Sequence, residues 1–157
     1  MINELDKILT RQLLTPLFMP IVNTQERCIL GYEALIRGPS SSPLHSPVNL
    51  FKTAQRCGRL LELELLCREM SMRRFKHLEL NGKLFLNVTP ATLLESDFRS
   101  GMTLELMKKI GFDADRVVIE ITEQFPIDDY GLMKEATSHY RQLGFEVALD
   151  DLGAGYS

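Results

Sequence analysis

The sequence predicts an α/β fold in which helices pack against a largely parallel sheet. Apolar runs typical of buried strands alternate with helical segments along most of the chain, and this order is typical of parallel sheets covered by helices. The chain opens differently, with two strand-like runs joined by a linker too short for a parallel crossover. Both a closed α/β barrel and an open doubly wound sheet fit this order, and no internal repeat decides between them.

The opening of the chain predicts an antiparallel hairpin followed by a long helix. Residues 17–23 and 29–37 are rich in strand-forming side chains, and the polar stretch TQERC joins them. After a loop rich in Gly, Pro and Ser, residues 48–78 are predicted to form one helix. Its buried face is indicated by apolar side chains at spacings of three and four, namely Leu60, Leu63, Cys67 and Met70.

The remaining elements alternate strictly between strand and helix. Residues 84–88 form a short apolar strand, and Thr89-Pro90 then supplies a helix N-cap with proline at the first helical position. A second helix is predicted over 103–110, ending at Gly111, and a strand over 116–121. The last predicted elements are a helix marked by Met133, Ala136, Tyr140 and Leu143 that ends at Gly144, and the strand FEVALD.

Composition limits the class of protein and its partners. The 157 residues suit one globular domain, and a net charge of −3 argues against a broad basic face for a nucleic acid polymer. The three cysteines form no metal-binding pattern, so we expect reduced thiols in the cytoplasm. The sequence contains no secretory signal pattern and no apolar run of the roughly 18 residues that span a bilayer.

Acids and amides lie at the carboxyl ends of the predicted strands, where α/β folds assemble their sites. Carboxylates in apolar strands are costly unless they are paired or bind a cation, and oxygen ligands favour Mg²⁺ or Mn²⁺ over zinc. The sequence therefore predicts a metal site. The candidate ligands are Glu33, Asn87, Glu120, Asp150 and Asp151.

Two local patterns refine this site. Adjacent Asp150 and Asp151 suit two metal ions, with one carboxylate bridging them about 3.5 to 4 Å apart. Strand alternation places Glu33, Leu35 and Arg37 on one face, so that Glu33 and Arg37 reach the same ligand. The glycines after Asp151 are weak evidence for a phosphate loop.

Several motifs in order resemble the EAL domain: GYEALIRG around Glu33, LFLNVTP around Asn87, VIEITEQ around Glu120, and DDLGAGYS from Asp150. The resemblance implies a modified TIM (β/α)8 barrel whose first strand is antiparallel, with about five of its eight strands in this chain. It also implies hydrolysis of cyclic di-GMP to linear pGpG with Mg²⁺ or Mn²⁺.

The resemblance also assigns roles to residues. Glu33, Asn87, Glu120 and Asp150 would bind the first metal ion, and Asp150 with Asp151 the second. Arg37 and Leu35 would contact the dinucleotide, with Arg37 on a phosphate. Glu123 would steady the loop after Asp151. The catalytic set is thus Glu33, Asp150, Asp151 and Glu123.

Some features depart from the family pattern. Met19 stands where the family commonly has Gln, whose loss would weaken a ligand contact, and Leu152 and Ala154 are milder changes. The family's water-positioning Lys, its later metal-binding Glu and its final Gln would lie after Ser157. We therefore expect residues 1–157 to be an EAL domain truncated at its C-terminal side. Alone it would be inactive and would leave an unpaired strand edge.

The sequence leaves two alternatives to the catalytic interpretation. One is a degenerate EAL module that binds cyclic di-GMP or a protein partner without catalysis. The other, a metal-dependent lyase or aldolase on a similar barrel, explains the carboxylates but not the ordered motifs. Expected partners are cyclic di-GMP, a second copy in a homodimer, and GGDEF or regulatory domains in a longer chain.

Overall fold

The computed structural model describes residues 2–95, 98–122 and 130–150, with Asp150 described by its backbone alone. Within these ranges one five-stranded sheet forms, in the spatial order β1-β2-β3-β4-β5. The strands follow one another along the sheet as they do along the chain. Their bounds are β1 Thr15–Asn23, β2 Cys28–Arg37, β3 Lys83–Val88, β4 Val117–Thr122 and β5 Glu146–Asp150.

Helices connect and flank these strands. The described α-helices are α1 Ile2–Arg11, α2 Pro47–Arg56, α3 Leu60–His77, α4 Met102–Ile110 and α5 Tyr130–Gln142. Two short 3₁₀ helices, Pro90–Leu94 and Ala114–Arg116, follow β3 and precede β4. Among the described residues, no helix has the length and hydropathy needed to cross a membrane.

The sheet has the predicted mixed topology. β1 and β2 pair antiparallel from Thr15 opposite Arg37 to Asn23 opposite Cys28, whereas the pairs β2-β3, β3-β4 and β4-β5 are all parallel. The Asn23 side-chain oxygen accepts the amide hydrogens of Gln25 and Glu26, which closes the tight turn between the first two strands. The expected α/β fold with an antiparallel first strand is therefore confirmed.

Strand alternation separates the two faces of the sheet. Residues on one face, such as Ala34, Leu86 and Ile119, are buried against α3, α4 and α5 in the main core. The opposite face carries the predicted site residues whose side chains are described, namely Glu33, Leu35, Arg37, Asn87 and Glu120. The main core also contains Met72, Phe75, Leu84, Val88, Met107, Ile110, Phe112, Val117, Ile121, Ala136, Tyr140 and Phe145.

A second apolar cluster lies where α1 and α2 pack on α3 beside the end of β2. Leu5, Ile8 and Leu9 of α1 are buried there with Leu50 of α2 and Leu63 of α3. Helix α1 was not among the elements predicted from the sequence. Its apolar residues recur at helical spacing between charged ones, which is the pattern of a helix with one buried face.

The prediction of one continuous helix over residues 48–78 is wrong. The chain forms two helices, because α2 ends at Arg56 and Gly58 then adopts a left-handed φ of 65°. The helix predicted after β3 is also different. Thr89 stands at its N-cap and Pro90 at its first position, but the element is a 3₁₀ helix and the Thr89 side chain makes no capping hydrogen bond.

Two glycines occupy positions that favour glycine. Gly111 ends α4 with a φ of 71°, at the predicted place. Gly31 lies where β2 approaches β3, and a Cβ added there would meet the Lys83 carbonyl oxygen at 2.1 Å. The close approach of β2 to β3 brings together the strands that carry Glu33 and Asn87.

Candidate functional site

The carboxyl ends of β2 and β3 bring Glu33 and Asn87 into direct contact. Glu33 pairs in register with Phe85, so Asn87 lies two residues further along β3. The Asn87 Nδ2 atom donates a hydrogen bond to Glu33 Oε1 at 2.9 Å and also approaches the Ala34 carbonyl oxygen at 3.5 Å. This contact fixes which side of the Asn87 amide faces Glu33.

The other end of the Asn87 amide suits a cation. Asn87 Oδ1 is buried and has no hydrogen-bond partner among the described residues. A buried acceptor without a donor is costly, and such an atom in a native structure calls for an explanation such as a water or an ion. An amide oxygen beside a carboxylate is a donor set that Mg²⁺, Mn²⁺ or Ca²⁺ accepts. The residues present therefore fit a hard divalent cation.

Two further predicted ligands lie on the neighbouring strands. Glu120 on β4 stands directly opposite Asn87 in the parallel register, and the backbone of Asp150 on β5 stands opposite Thr122. Glu120 is partly buried on the same face of the sheet as Asn87. The Asp150 side chain, Glu123 and Asp151 lie outside the described residues, as do Leu152, Ala154 and the two glycines after Asp151.

The described carboxylates do not complete a metal site by themselves. Among the described side chains, no group of three or more His, Cys, Asp or Glu residues lies close enough to hold an ion. The predicted ligand set includes an asparagine and two aspartates whose side chains are not described. The contact between Glu33 and Asn87 is therefore the part of the predicted set that the structure brings together.

Leu35 and Arg37 line a cavity that also reaches Glu33, Asn87 and Thr122. Its volume is about 100 Å³, which is roughly three times the volume of one water molecule in the liquid. The Arg37 Nη1 atom donates to the Ile36 carbonyl oxygen at 2.9 Å. Within the described part of the chain no carboxylate pairs with Arg37, so its guanidinium retains donors for an anionic ligand.

Met19 lies beside this site. It stands directly opposite Glu33 in the β1-β2 register, on the same face of the sheet, and the residue is 48% exposed. Leu17 has the same relation to Leu35 and is 45% exposed. The position at which the sequence departs from the family pattern thus borders the candidate site.

A buried ion pair that was not predicted from the sequence supports the end of β3. Glu64 Oε2 and Arg68 Nη2 are 2.7 Å apart on consecutive turns of α3, and both side chains are almost fully buried. Glu64 Oε1 also accepts the Thr89 amide hydrogen at 2.8 Å, and Arg68 Nη1 donates to Thr103 Oγ1 at 2.8 Å. Glu64 follows Leu60 by one helical turn, a spacing that places it on the buried face.

Burial raises the pKa values of three acidic groups in this region. Desolvation raises the pKa of the Glu64 carboxyl, although the Arg68 guanidinium and the Thr89 hydrogen bonds oppose that shift. Burial likewise raises the pKa of the Tyr140 hydroxyl and that of the Cys67 thiol. The Arg68 guanidinium lies 5.9 Å from the centre of the Tyr140 ring, which adds a cation-π contact to the cluster.

The family model described as EAL domain matches residues 2–157. The chain belongs to the EAL domain family. The match covers the four motifs around Glu33, Asn87, Glu120 and Asp150, and it agrees with the antiparallel start of the sheet. The family predicted from the sequence is therefore confirmed.

Curated relatives of this EAL chain include two Escherichia coli proteins. One is the probable cyclic di-GMP phosphodiesterase PdeI, 29% identical over 154 residues, with 89% of this chain and 19% of PdeI covered. The other is the blue light- and temperature-regulated antirepressor BluF, 26% identical over 141 residues, with 89% of this chain and 34% of BluF covered. The chain thus spans about a fifth to a third of these relatives.

Solved EAL structures share the fold. Klebsiella pneumoniae BlrP1 in complex with calcium and cyclic di-GMP is 27% identical, with a TM-score of 0.76, and the similarity covers 94% of this chain and 36% of BlrP1. A BlrP1 complex with manganese and cyclic di-GMP gives a TM-score of 0.75 at the same identity, covering 93% of this chain and 36% of BlrP1. This EAL chain therefore matches part of a longer protein.

Proposed function

We propose that this chain forms the first part of a cyclic di-GMP phosphodiesterase domain, which hydrolyses cyclic di-GMP to linear pGpG. The observation that carries the proposal is the Asn87–Glu33 hydrogen bond, which leaves the buried Asn87 Oδ1 atom available to a cation. The names of PdeI and of the BlrP1 complexes support the same substrate.

The proposed metal ligands are those at the strand ends. Glu33, Asn87, Glu120 and Asp150 would hold one divalent cation, and Asp150 with Asp151 a second. Mg²⁺ and Mn²⁺ suit this oxygen-only set, and the calcium and manganese complexes of BlrP1 are consistent with a divalent cation. When bound, such ions lower the pKa of a coordinated water and stabilise negative charge on phosphate oxygens.

The substrate would be held by Leu35 and Arg37. The guanidinium of Arg37 donates to a phosphate oxygen, since its donors are not taken by a described carboxylate. Leu35 offers apolar contact beside it. In the hydrolysis a water oxygen bonds to phosphorus, the bond from phosphorus to the 3′ oxygen breaks, and a proton ends on that leaving oxygen. Holding the phosphate in line with the water is the contribution of these side chains.

The domain is proposed to continue past this chain. The described sheet contains five strands, whereas a barrel of this type has eight over about 250 residues. We expect the missing part to supply the Lys that positions the water, a further metal-binding Glu and a final Gln. Glu123 is proposed to steady the loop after Asp151. The 157-residue chain alone should therefore be inactive. We expect the complete protein to be cytoplasmic. Its expected partners are a second copy of the protein, or GGDEF and regulatory domains.

A second function, a non-catalytic EAL module that binds cyclic di-GMP or a protein, is favoured by one observation. The relative BluF is named as an antirepressor. The match to BluF includes 89% of this chain, the same share as the match to PdeI. The two proposals differ in whether cyclic di-GMP is consumed after it binds.

Incubation with cyclic di-GMP and Mn²⁺ or Mg²⁺, followed by chromatography, distinguishes them. The longer chain that completes the barrel should form pGpG in the presence of the cation, and pGpG formation should stop when EDTA is added. The 157-residue chain should release none under the same conditions. Stable binding of cyclic di-GMP without pGpG from the longer chain would reject the phosphodiesterase and support the binding module.

A further inference from the structure

The buried pair Glu64–Arg68 lies directly behind the strand end that carries Asn87. Both residues belong to α3, and the exposed fractions of their side chains are 1% for Glu64 and 3% for Arg68. Their 2.7 Å contact is a charge-assisted hydrogen bond. Neither side chain faces solvent, so this pair is not an ordinary surface ion pair of a helix.

Glu64 connects α3 to the backbone that follows Asn87. Val88 is the last residue of β3 in register with β4, and the next amide, that of Thr89, donates to Glu64 Oε1 at 2.8 Å. The Thr89 carbonyl oxygen then accepts from the amide and hydroxyl of Thr92, at 3.1 Å and 2.7 Å. The Glu64 carboxylate therefore holds the chain where β3 gives way to the 3₁₀ helix.

Arg68 holds the carboxylate in turn. Its Nη2 atom donates to Glu64 while its Nη1 atom donates to Thr103 of α4. The guanidinium is thus bonded on two sides, and Glu64 has little freedom to rotate away from Thr89. Arg68 and Thr89, the two partners of Glu64, also line the cavity that Glu33 and Asn87 line.

We propose that Glu64 is a positioning residue for Asn87, acting through the Thr89 amide to fix the β3 end so that the Asn87 side chain meets Glu33. The inference rests on the proposed function, because it matters for catalysis only if Asn87 binds the metal. If Glu64 has only a structural role, what matters is that its charge balances that of Arg68. If Glu64 is a positioning residue, what matters is that it provides an acceptor for the Thr89 amide hydrogen.

Two sets of variants separate these roles. Glu64→Leu combined with Arg68→Met removes both charges together, an exchange for apolar residues that often preserves the stability of proteins with buried ion pairs. It also removes the acceptor of Thr89. Glu64→Gln keeps an oxygen that can accept from the Thr89 amide. It removes only the negative charge of the pair and leaves the Arg68 charge unbalanced. The matched control is Glu69→Leu with Arg73→Met, an ion pair of the same spacing on the more exposed face of α3.

Three measurements on the 157-residue chain decide between them: the thermal midpoint, the affinity for Mn²⁺, and the NMR resonances of the Asn87 side-chain amide without metal. For the Leu-Met double variant we expect a midpoint within about 5 °C of the original chain, a shifted Asn87 resonance, and Mn²⁺ binding roughly tenfold or more weaker. Glu64→Gln should lower the midpoint and keep the Asn87 resonance. The control double variant should leave the Asn87 resonance and the Mn²⁺ affinity unchanged.

An unchanged Asn87 resonance in a folded Leu-Met double variant would overturn the proposal. So would a Glu64→Gln variant that is folded but has lost the Asn87 contact. The NMR measurement needs neither metal nor substrate, so it tests the positioning role even if the original chain fails to bind Mn²⁺. That failure would count against the proposed metal site alone.

Discussion

Asn87 donates its side-chain amide hydrogen to Glu33 across the ends of β2 and β3, at 2.9 Å, and its oxygen remains buried without a described partner. This orientation turns an asparagine into a candidate metal ligand. The Glu33 carboxylate fixes the amide, and the buried oxygen is directed away from that contact.

Asn87→Ala should weaken Mn²⁺ binding by roughly 10- to 100-fold, because it removes a ligand and the partner of Glu33. Isothermal titration calorimetry measures the affinity, and circular dichroism verifies that the variant is folded. Asn49→Ala is the matched control, since Asn49 is an exposed asparagine on α2. Equal Mn²⁺ affinity in Asn87→Ala and the original chain would contradict the assignment.

Met19→Gln should strengthen cyclic di-GMP binding without changing the affinity for Mn²⁺. The side chain lies opposite Glu33 on the same face of the sheet, and a new hydrogen bond to the ligand is worth roughly a factor of 2 to 10. Fluorescence titration with a labelled cyclic di-GMP, carried out on the completed domain, measures this change. The exposed substitution Val22→Gln, near the hairpin turn, is the control. Weaker ligand binding by Met19→Gln would argue against a ligand contact at this position.

The cysteines should differ strongly in reactivity. Cys28 is exposed, whereas Cys67 is buried and its burial raises the pKa of the thiol. In the folded chain an aromatic disulfide reagent should modify Cys28 quickly and leave Cys67 unmodified until denaturant is added. Mass spectrometry of the labelled peptides identifies the sites, with Cys28→Ser as the control. Rapid labelling of Cys67 in the native state would show that the cluster around α3 is not closed.

Stability should fall as pH decreases through the titration of His139. Burial, and secondarily the positive charge of Arg68, lowers the pKa of His139 from its usual 6.5, with Glu135 opposing the shift. The unfolded chain then binds the proton more readily, so the stabilising contribution of neutral His139 is present above pH 6.5 and is lost as pH falls through the lower folded pKa.

His139→Gln should therefore reduce the difference between the unfolding free energies measured at about pH 7.5 and about pH 5.5. An NMR titration of the imidazole provides the direct reading. A folded-state midpoint at or above the usual value would contradict the lowered pKa. The ring packs edge-on to Phe98 and Tyr140, with centroid distances of 5.2 Å and 4.9 Å, so the folded-state signals should also be shifted.

The elements that the sequence predicts well are those set by local rules. The short TQERC linker allows only an antiparallel pair, and Gly111 ends α4 because the left-handed conformation there suits glycine. The break after α2 also has a local signal, because Gly58 adopts a left-handed conformation there, but the prediction over residues 48–78 did not use it. The result was one predicted helix where the structure has two.

The candidate site is harder to predict, because it depends on register. Sequence alternation places Glu33 and Arg37 on one face of β2, and Asn87 follows at the end of another strand. Only the pairing of Glu33 with Phe85 brings Asn87 within hydrogen-bond distance of the Glu33 carboxylate. The Glu64–Arg68 pair was missed for a different reason. An acid and an arginine four residues apart on a helix usually form a solvated pair, and the contacts with Thr89 and Thr103 show that these two are buried instead.

The decisive measurement is the rate of pGpG formation from cyclic di-GMP by the completed domain, with Mn²⁺, for the original sequence and for Glu33→Gln. Glu26→Gln, in the exposed hairpin turn, serves as the control. If Glu33 binds the metal, its conversion to Gln should reduce turnover by at least about 100-fold while Glu26→Gln retains full activity. Turnover by Glu33→Gln close to that of the original sequence would contradict a metal site built on Glu33 and Asn87.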